Sequence, residues 1–436
     1  MTYRRLPLAL AGVLLVAFVG APTGAVQRGG GPARGPGVLV VRDVTLVDGT
    51  GAAPRAHTSL VIRDGRIADI VVAGREPAEG TVVDGAGRFA IPGLFDGHVH
   101  VTGGTHADAV DELGRALRGG VTTVWDLAGD ARMASELARE AAAGEIQSPT
   151  IYFVALMAGP AFFTDPRVLG ASRGFEPGEA PWAQAITSST DIARAVTIAR
   201  GTGAVALKLY AALDGDVAGR IIAEAKRQGL KTVAHATVFP GKPGELVAAG
   251  VDVLAHAPYL VWEGSPPTSD FTKRASGDFA GVPADSPVIE HLLEAMRDRG
   301  VAFNPTLWIF AARLAQEPIS TARTAWSYAV TKRAAALGIP ILAGTDALTD
   351  PRLDVLPIIH RELEQLVNGA GLTPAQAIIS ATKNVAQALG AQATRGTLEV
   401  GKAGDVVVLD ANPLDDITNT RKIHTVIKDG QVVERR

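Results

Sequence analysis

The chain has 436 residues, of which 47% are hydrophobic and 20% charged, a composition typical of a globular protein with a large core. Its formal net charge of -3 favours neither a nucleic-acid surface nor general binding of polyanions. Because cysteine is absent, disulfides, thiolate metal ligands and a cysteine nucleophile are excluded, and any metal must be held by nitrogen and oxygen atoms.

The N-terminus predicts an export signal. Arg4 and Arg5 precede an apolar run over residues 8–19, and small residues at 23–25 offer a cleavage site. We therefore expect residues 1–25 to be a signal peptide of a periplasmic or secreted protein, with an uncleaved anchor as the alternative. Beyond this segment no membrane contact is expected. Residues 26–37 are a Gly/Pro-rich linker for which no regular structure is expected.

Short β-strands are predicted at both ends of the remaining chain. From residue 38, runs of β-branched residues alternate with Asp-Gly turns, and the same sequence pattern recurs near the C-terminus. We expect residues 38–88 and 394–436 to form one small β-sandwich domain that is closed by both termini.

Between these ends, apolar strands alternate with amphipathic helices. The predicted strands cover residues 89–100, 121–127, 150–159, 204–210, 231–236, 251–257, 301–307 and 340–347. Eight such β-α units with nearly continuous apolar strands predict an α/β fold, a (β/α)8 TIM barrel over residues 89–393.

Two long irregular stretches, 160–190 and 258–286, follow predicted strands 3 and 6. Both leave the carboxyl ends of the strands, where barrels carry their chemistry, and we expect them to form a lid. Five aromatic residues would line the pocket under this lid or merely hold the loops: Phe162, Phe163, Trp182, Tyr259 and Trp262.

Residues able to bind a metal end several of the predicted strands. His98 and His100 point to one face of strand 1, because residues two apart share a face. Strands 4, 5, 6 and 8 end on Lys208, His235, His256 and Asp346. Since the carboxyl ends of barrel strands meet at one face, and imidazole and carboxylate groups bind zinc, this pattern predicts a metal centre.

Each of these residues also has a simpler interpretation. His235 and His256 could be hydrogen-bonded core histidines, Asp346 a helix N-cap, and Lys208 half of a buried ion pair. Lys208 needs a further account, because an ammonium of pKa about 10.4 would be repelled by metal ions. It must be neutral, lie elsewhere, or become an anion, for example a carbamate formed with carbon dioxide.

The motifs that carry these residues resemble those of a known superfamily. They read PGLFDGHVH (92–100), GVTTVWDLAG (120–129), LKLY (207–210), AHA (234–236 and 255–257), AGTDA (343–347) and GTLEVGKAGDVVVLD (396–410). Through them the chain resembles the amidohydrolase superfamily, in its imidazolonepropionase-like and metal-dependent dipeptidase branch, which includes Xaa-Pro and Xaa-Arg/Lys dipeptidases. The resemblance implies a (β/α)8 barrel with a β-sandwich built from both termini.

The resemblance also implies a binuclear metal centre. His98, His100, Lys208 and Asp346 would hold a buried ion, and a carboxylated Lys208 with His235 and His256 a more exposed one. Two divalent ions are thus expected, zinc first, with manganese or iron as alternatives.

The expected reaction is hydrolysis of an amide C–N bond in a small molecule, a dipeptide or an N-acyl amino acid. A hydroxide bridging the metals would attack the carbonyl, and Asp346 would accept its proton and deliver it to the leaving nitrogen. Tyr210, on the strand face of Lys208, would hydrogen-bond the oxyanion or a substrate carboxylate, unless it only packs. Several prolidase-like relatives have a Gly-rich stretch after this lysine, whereas residues 210–214 read YAALD here.

Four alternatives remain at this stage. In imidazolonepropionases the strand-4 lysine is not a ligand, so a mononuclear cyclic-amide hydrolase is one of them. The same site could serve a lactone or phosphoester hydrolase. Lys208 could form a Schiff base in a lyase, or the chain could be a non-catalytic binding protein. Substrate identity and a homo-oligomeric state are not readable from the chain.

Overall fold

The computed structural model describes residues 37–274, 276–313, 315–316 and 320–434. The predicted signal peptide, and the linker up to residue 36, lie outside the described residues. Within the described part of the chain, no helix is long and apolar enough to cross a membrane.

Both ends of the described chain contribute to one eight-stranded sheet. Its strands are Val38–Leu46, Arg55–Arg63, Arg66–Val72, Thr81–Asp84, Phe89–Pro92, Val406–Leu409, Ile423–Lys428 and Gln431–Val432. Strand Phe89–Pro92 pairs in parallel with Val38–Leu46 and antiparallel with Val406–Leu409, so it joins the N-terminal and C-terminal strands. Leu39, Leu60 and Val406 belong to the sheet's own apolar core.

A second sheet forms a nearly closed parallel barrel. Its seven wall strands are Leu94–Val99, Val121–Asp126, Thr150–Ala158, Ala206–Leu209, Lys231–His235, Val253–Ala255 and Ala302–Asn304. Each pairs in parallel with the next along the chain. The predicted fold class, a parallel barrel with a β-structure built from both ends of the chain, is therefore confirmed, and the predicted domain bounds stay a prediction.

Two predicted strands differ from the expectation. Strand 89–100 is broken at Gly93, where a Cβ would collide with the Thr122 side chain, and its two halves belong to different sheets. Strand 340–347 is reduced to one bridge between Ile341 and Phe303. It is short because the backbone turns after Ala343, so that the Asp346 amide donates to His98 O at 2.8 Å.

The helices surround the barrel and bury their apolar stripes against it. Their bounds are His106–Arg118, Ala131–Ala143, Pro166–Ala171, Ile192–Gly201, Gly215–Arg227, Pro243–Ala249, Pro287–Arg299, Ser320–Ala336, Ile359–Glu364, Pro374–Ser380 and Lys383–Leu389. Helix Gly215–Arg227 buries Val217, Ile221, Ile222 and Ala225, the stripe that the 3.6-residue period predicts.

The two insertions contain more regular structure than the sequence predicts. In the first, strand Ala183–Ala185 pairs in parallel with the end of Thr150–Ala158 and extends the barrel wall. Two tryptophans hold the loops through hydrogen bonds. Trp182 Nε1 donates to Ala171 O at 3.0 Å, and Trp262 Nε1 donates to Arg274 O at 2.9 Å.

Candidate metal centre

The six residues predicted as ligands lie together at the carboxyl ends of the barrel strands. The closest contacts join Asp346 Oδ1 to His100 Nε2 at 3.0 Å and to His98 Nε2 at 3.5 Å. One ligand atom from each of these three residues lies within 4.8 Å of the others. The ring of His256 is 4.9 Å from that of His98 and 4.7 Å from that of His235. The nitrogen and oxygen donors therefore form one continuous cluster.

Three residues in or beside this cluster have unusual backbone conformations. His256, Thr306 and Asp346 have φ of 75°, 48° and 56°, in the left-handed region that residues with a Cβ rarely adopt. Such conformations cost about 1–3 kcal/mol each and concentrate at functional sites. At Asp346, the turn replaces the end of strand 8 and brings the carboxylate to the two histidines of strand 1.

Hydrogen bonds to Nδ1 leave the other ring nitrogen free to face the cluster. Asn304 Nδ2 donates to Leu342 O at 2.9 Å, which orients the amide so that its oxygen accepts from His98 Nδ1 at 2.8 Å. His100 Nδ1 likewise donates to Ala128 O at 2.9 Å. Nε2 of His98 then carries the lone pair that a metal ion requires. Nε2 of His100 lies 3.0 Å from Asp346 Oδ1, and although burial opposes it, the hydrogen bond to Asp346 raises the pKa of His100, so a metal ion would have to displace the proton that the two share.

The charge states also suit a divalent cation. Burial is the main cause that lowers the pKa of His98, His235 and His256 well below the ordinary value, so all three are neutral at pH 7. Burial opposes ionisation of Asp346, but the hydrogen bond from His100 and the nearby positive charges outweigh it and lower its pKa. The cluster thus combines three neutral imidazoles, those of His98, His235 and His256, with an ionised carboxylate.

Lys208 and His235 each have a buried nitrogen without a hydrogen-bond partner among the described residues, and for Lys208 it is the only polar atom of the side chain. The Lys208 side chain has 0% exposure, and within the described residues its Nζ has no hydrogen-bond partner. Burial lowers its pKa to about 7, against the opposing charge of Asp346. A buried polar atom without a partner is rare and costly, so the environment of Nζ fits an added group on this atom together with metal ions.

Aromatic side chains form one wall of the site. The ring of Tyr210 lies 3.8 Å from that of His235 and stacks on Phe162 at 4.3 Å. Tyr259 lies 5.0 Å from His256. Burial is the first cause that raises the pKa of Tyr210, so its phenol stays protonated at neutral pH and can donate a hydrogen bond.

Strand 7 contributes residues that the sequence analysis missed. Asn304 orients His98, and the Thr306 hydroxyl hydrogen-bonds His256 Nδ1 at 2.9 Å. The buried carboxylate of Glu362 then accepts the backbone amides of Leu307 at 2.9 Å and Trp308 at 2.7 Å. Asn304 and Thr306 are polar residues two apart in an otherwise apolar predicted strand, and this pattern could have identified them. Glu362 lies inside a helix, and no sequence pattern distinguishes it.

Glu362 should make the stability of the protein depend on pH. Burial raises its pKa from 4.5 to about 8, so the folded state holds an extra proton between these values, and stability falls as pH rises through them. We expect Glu362→Gln to be about 1 kcal/mol less stable than wild type at pH 5. That deficit should shrink by up to about 1.4 kcal/mol per pH unit, pass through zero and become an advantage for Glu362→Gln before pH 8.

Urea unfolding at pH 5, 6.5 and 8 measures this difference. Glu364→Gln is the matched control, because Glu364 lies on the same helix and pairs with Arg361 at 3.1 Å. A pH-independent difference between Glu362→Gln and wild type would contradict the prediction.

Comparisons with known proteins agree with the fold and motifs. The sequence profile of the amidohydrolase family matches residues 89–433. Ochratoxinase of Aspergillus niger is 26% identical in an alignment that covers 75% of this chain and 71% of that protein.

Solved structures are similar over nearly the whole chain. The structure of a proposed prolidase from Bifidobacterium longum is 27% identical with a TM-score of 0.71, covering 92% of this chain and 95% of that one. The A. niger ochratoxinase structure, 24% identical with a TM-score of 0.72, covers 91% of this chain and 96% of that one, and shows the shared fold.

Proposed function

The chain belongs to the amidohydrolase family, and on that premise we propose that it is a metal-dependent hydrolase that cleaves the amide bond of a dipeptide or an N-acyl amino acid. The observation that carries this proposal is the fully buried Lys208, whose Nζ has no partner among the described residues, beside neutral histidines and the ionised Asp346. The similarity to a proposed prolidase supports the substrate class. The predicted signal peptide is the basis for proposing that the enzyme is exported.

Six side chains would hold two metal ions. His98, His100 and Asp346 would bind one of them, and His235 and His256 the other, with Lys208 between. The lone pair of the neutral Lys208 amine would attack the carbon of dissolved CO2, forming an N–C bond and releasing one proton. The resulting carbamate supplies two oxygens that share one negative charge, in place of an amine without a hydrogen-bond partner in the described part of the chain. When bound, the ions act as Lewis acids on the substrate carbonyl and increase the acidity of bound water.

The chain's own groups would move the protons. Asp346 is ionised and 25% exposed, so its carboxylate can accept a proton from the attacking water and deliver it to the leaving nitrogen. The Tyr210 phenol would donate a hydrogen bond to the carbonyl oxygen as negative charge develops there. The reaction consumes one water and yields a carboxylic acid and an amine.

A substrate panel with and without metal tests this function. The mature protein, produced with zinc and bicarbonate, is assayed on dipeptides, N-acyl amino acids, a cyclic amide, a lactone and a phosphodiester. We expect hydrolysis of linear amides, its loss after chelation, and its return when zinc or manganese is added. Full activity after chelation would contradict the metal requirement, and turnover of only the lactone or the phosphodiester would contradict the bond type.

A further inference from the structure

Arg274 is a half-buried cation that the insertion after strand 6 places beside the site. Its guanidinium carbon lies 4.1 Å from the centre of the Phe271 ring, and its Nη1 donates to Phe271 O at 3.3 Å. Trp262 holds the backbone of the same residue through the 2.9 Å hydrogen bond to Arg274 O. Stacking and these two hydrogen bonds restrict where the guanidinium can point.

Arg274 lacks the partner that a half-buried guanidinium usually has. Within the described residues, no carboxylate forms an ion pair with it. Its neighbours differ in this respect, since Arg167 pairs with Asp165 at 2.6 Å and Lys273 with Asp270 at 3.6 Å. A guanidinium can bind a carboxylate through two parallel hydrogen bonds. Arg274 can therefore bind a carboxylate of a ligand.

The positive charge of Arg274 faces the metal-binding cluster. Its charge acts on the Tyr259 phenol, and the Tyr259 ring lies 5.5 Å from that of His235 and 5.0 Å from that of His256. The Phe271 ring under the guanidinium stacks nearly parallel to His235 at 6.2 Å. Arg274 therefore lies on the side of the site formed by His235 and His256.

We propose that Arg274 binds the free carboxylate of the substrate and thereby selects amides of amino acids over neutral amides. This inference rests on the proposed function, since a dipeptide and an N-acyl amino acid both carry a carboxylate next to the amide nitrogen. An anion bound by Arg274, at the wall that holds Tyr259, would place the adjacent amide bond beside the histidines. A neutral amide would leave the guanidinium unpaired in a partly desolvated site.

Matched substrates test the assignment. Each N-acyl amino acid is compared with its carboxamide, which has the same shape and no charge. We expect wild type to prefer the carboxylate in kcat/KM. Arg274→Gln should lower kcat/KM for the carboxylate about 100-fold, mainly through KM, and change it less than a few-fold for the carboxamide. Arg274→Lys keeps the positive charge but not the two parallel N–H donors of the guanidinium. It should give an intermediate preference for the carboxylate over the carboxamide.

Lys273→Gln is the matched control, because it removes one positive charge from the adjacent, exposed position of the same loop. It should keep the wild-type preference. Calorimetric binding of the free amino acid product to zinc-loaded protein gives a second readout that needs no turnover, and it should weaken about 100-fold in Arg274→Gln. Circular dichroism checks that each variant is folded.

The two proposals fail in different ways. If wild type hydrolyses amides but Arg274→Gln retains the wild-type ratio of carboxylate to carboxamide, the assignment of Arg274 is overturned while the proposed function stands. If wild type hydrolyses no linear amide, the proposed function fails. In that case equal product binding by wild type and Arg274→Gln would overturn the carboxylate site as well.

Discussion

Replacing Lys208 with alanine should lower the metal content of the protein from about two ions per chain to one or none, and kcat at least about 1000-fold. The reason is electrostatic. An ammonium would repel two divalent ions, whereas a carbamate formed on the neutral form of the buried amine supplies two oxygens that share one negative charge. Alanine removes both oxygens and leaves a cavity among His98, His235 and Asp346.

Elemental analysis of the mature protein, produced with zinc and bicarbonate, measures this effect directly. Lys231→Ala is the control, because Lys231 is 47% exposed and pairs with Asp252 at 2.8 Å. Lys208→Glu should retain more metal than Lys208→Ala, since it supplies a carboxylate without needing CO2. About one ion per chain in both wild type and Lys208→Ala would remove Lys208 from the site and favour a mononuclear cyclic-amide hydrolase.

Asp346→Asn should lower kcat by about three or more orders of magnitude while metal remains bound. Asparagine keeps the size and an oxygen donor of the side chain but cannot accept the proton of the attacking water. The 3.0 Å contact with His100 can persist through the amide oxygen, so the cluster should keep its geometry. The loss should therefore appear in kcat rather than in metal content.

Steady-state kinetics and elemental analysis on the same preparation separate the two effects. Asp410→Asn is the control, because Asp410 is 50% exposed and pairs with Arg88 at 2.8 Å in the other sheet. Near-normal turnover by Asp346→Asn would exclude Asp346 as the proton acceptor. Equal loss of metal and activity would show that it acts only as a ligand.

Local pattern was sufficient for much of the fold. The stripe of Val217, Ile221, Ile222 and Ala225 has the period of a helix, and its burial follows from that period alone. Because the carboxyl ends of barrel strands meet at one face, residues from distant parts of the chain were expected to lie together there. The structure does bring His98, His235 and His256 together. Their role as ligands remains a prediction.

Long-range contacts were beyond such patterns. Asn304 orients His98 although the two residues are 206 positions apart in the sequence. No local pattern around either residue predicts this hydrogen bond. Glu362 lies in an ordinary helix, yet its carboxylate accepts two backbone amides after strand 7. Strand 8 is short because two amides near Asp346 bond to His98 O instead of continuing the ladder.

The sequence by itself determined which chemical groups are present at the ends of the strands, because periodicity depends only on residue type and spacing. Only the tertiary structure decided their charge and their partners. The sequence around Lys208 does not show that its amine loses its charge easily. Burial in the barrel lowers the pKa of this amine to about 7, so that about half of it is neutral at pH 7. Within the described residues, Arg274 forms no ion pair, and only the folded loop shows that the nearby Asp270 pairs with Lys273 instead. Burial and distance are properties of the packed chain, and they set the chemistry of this site.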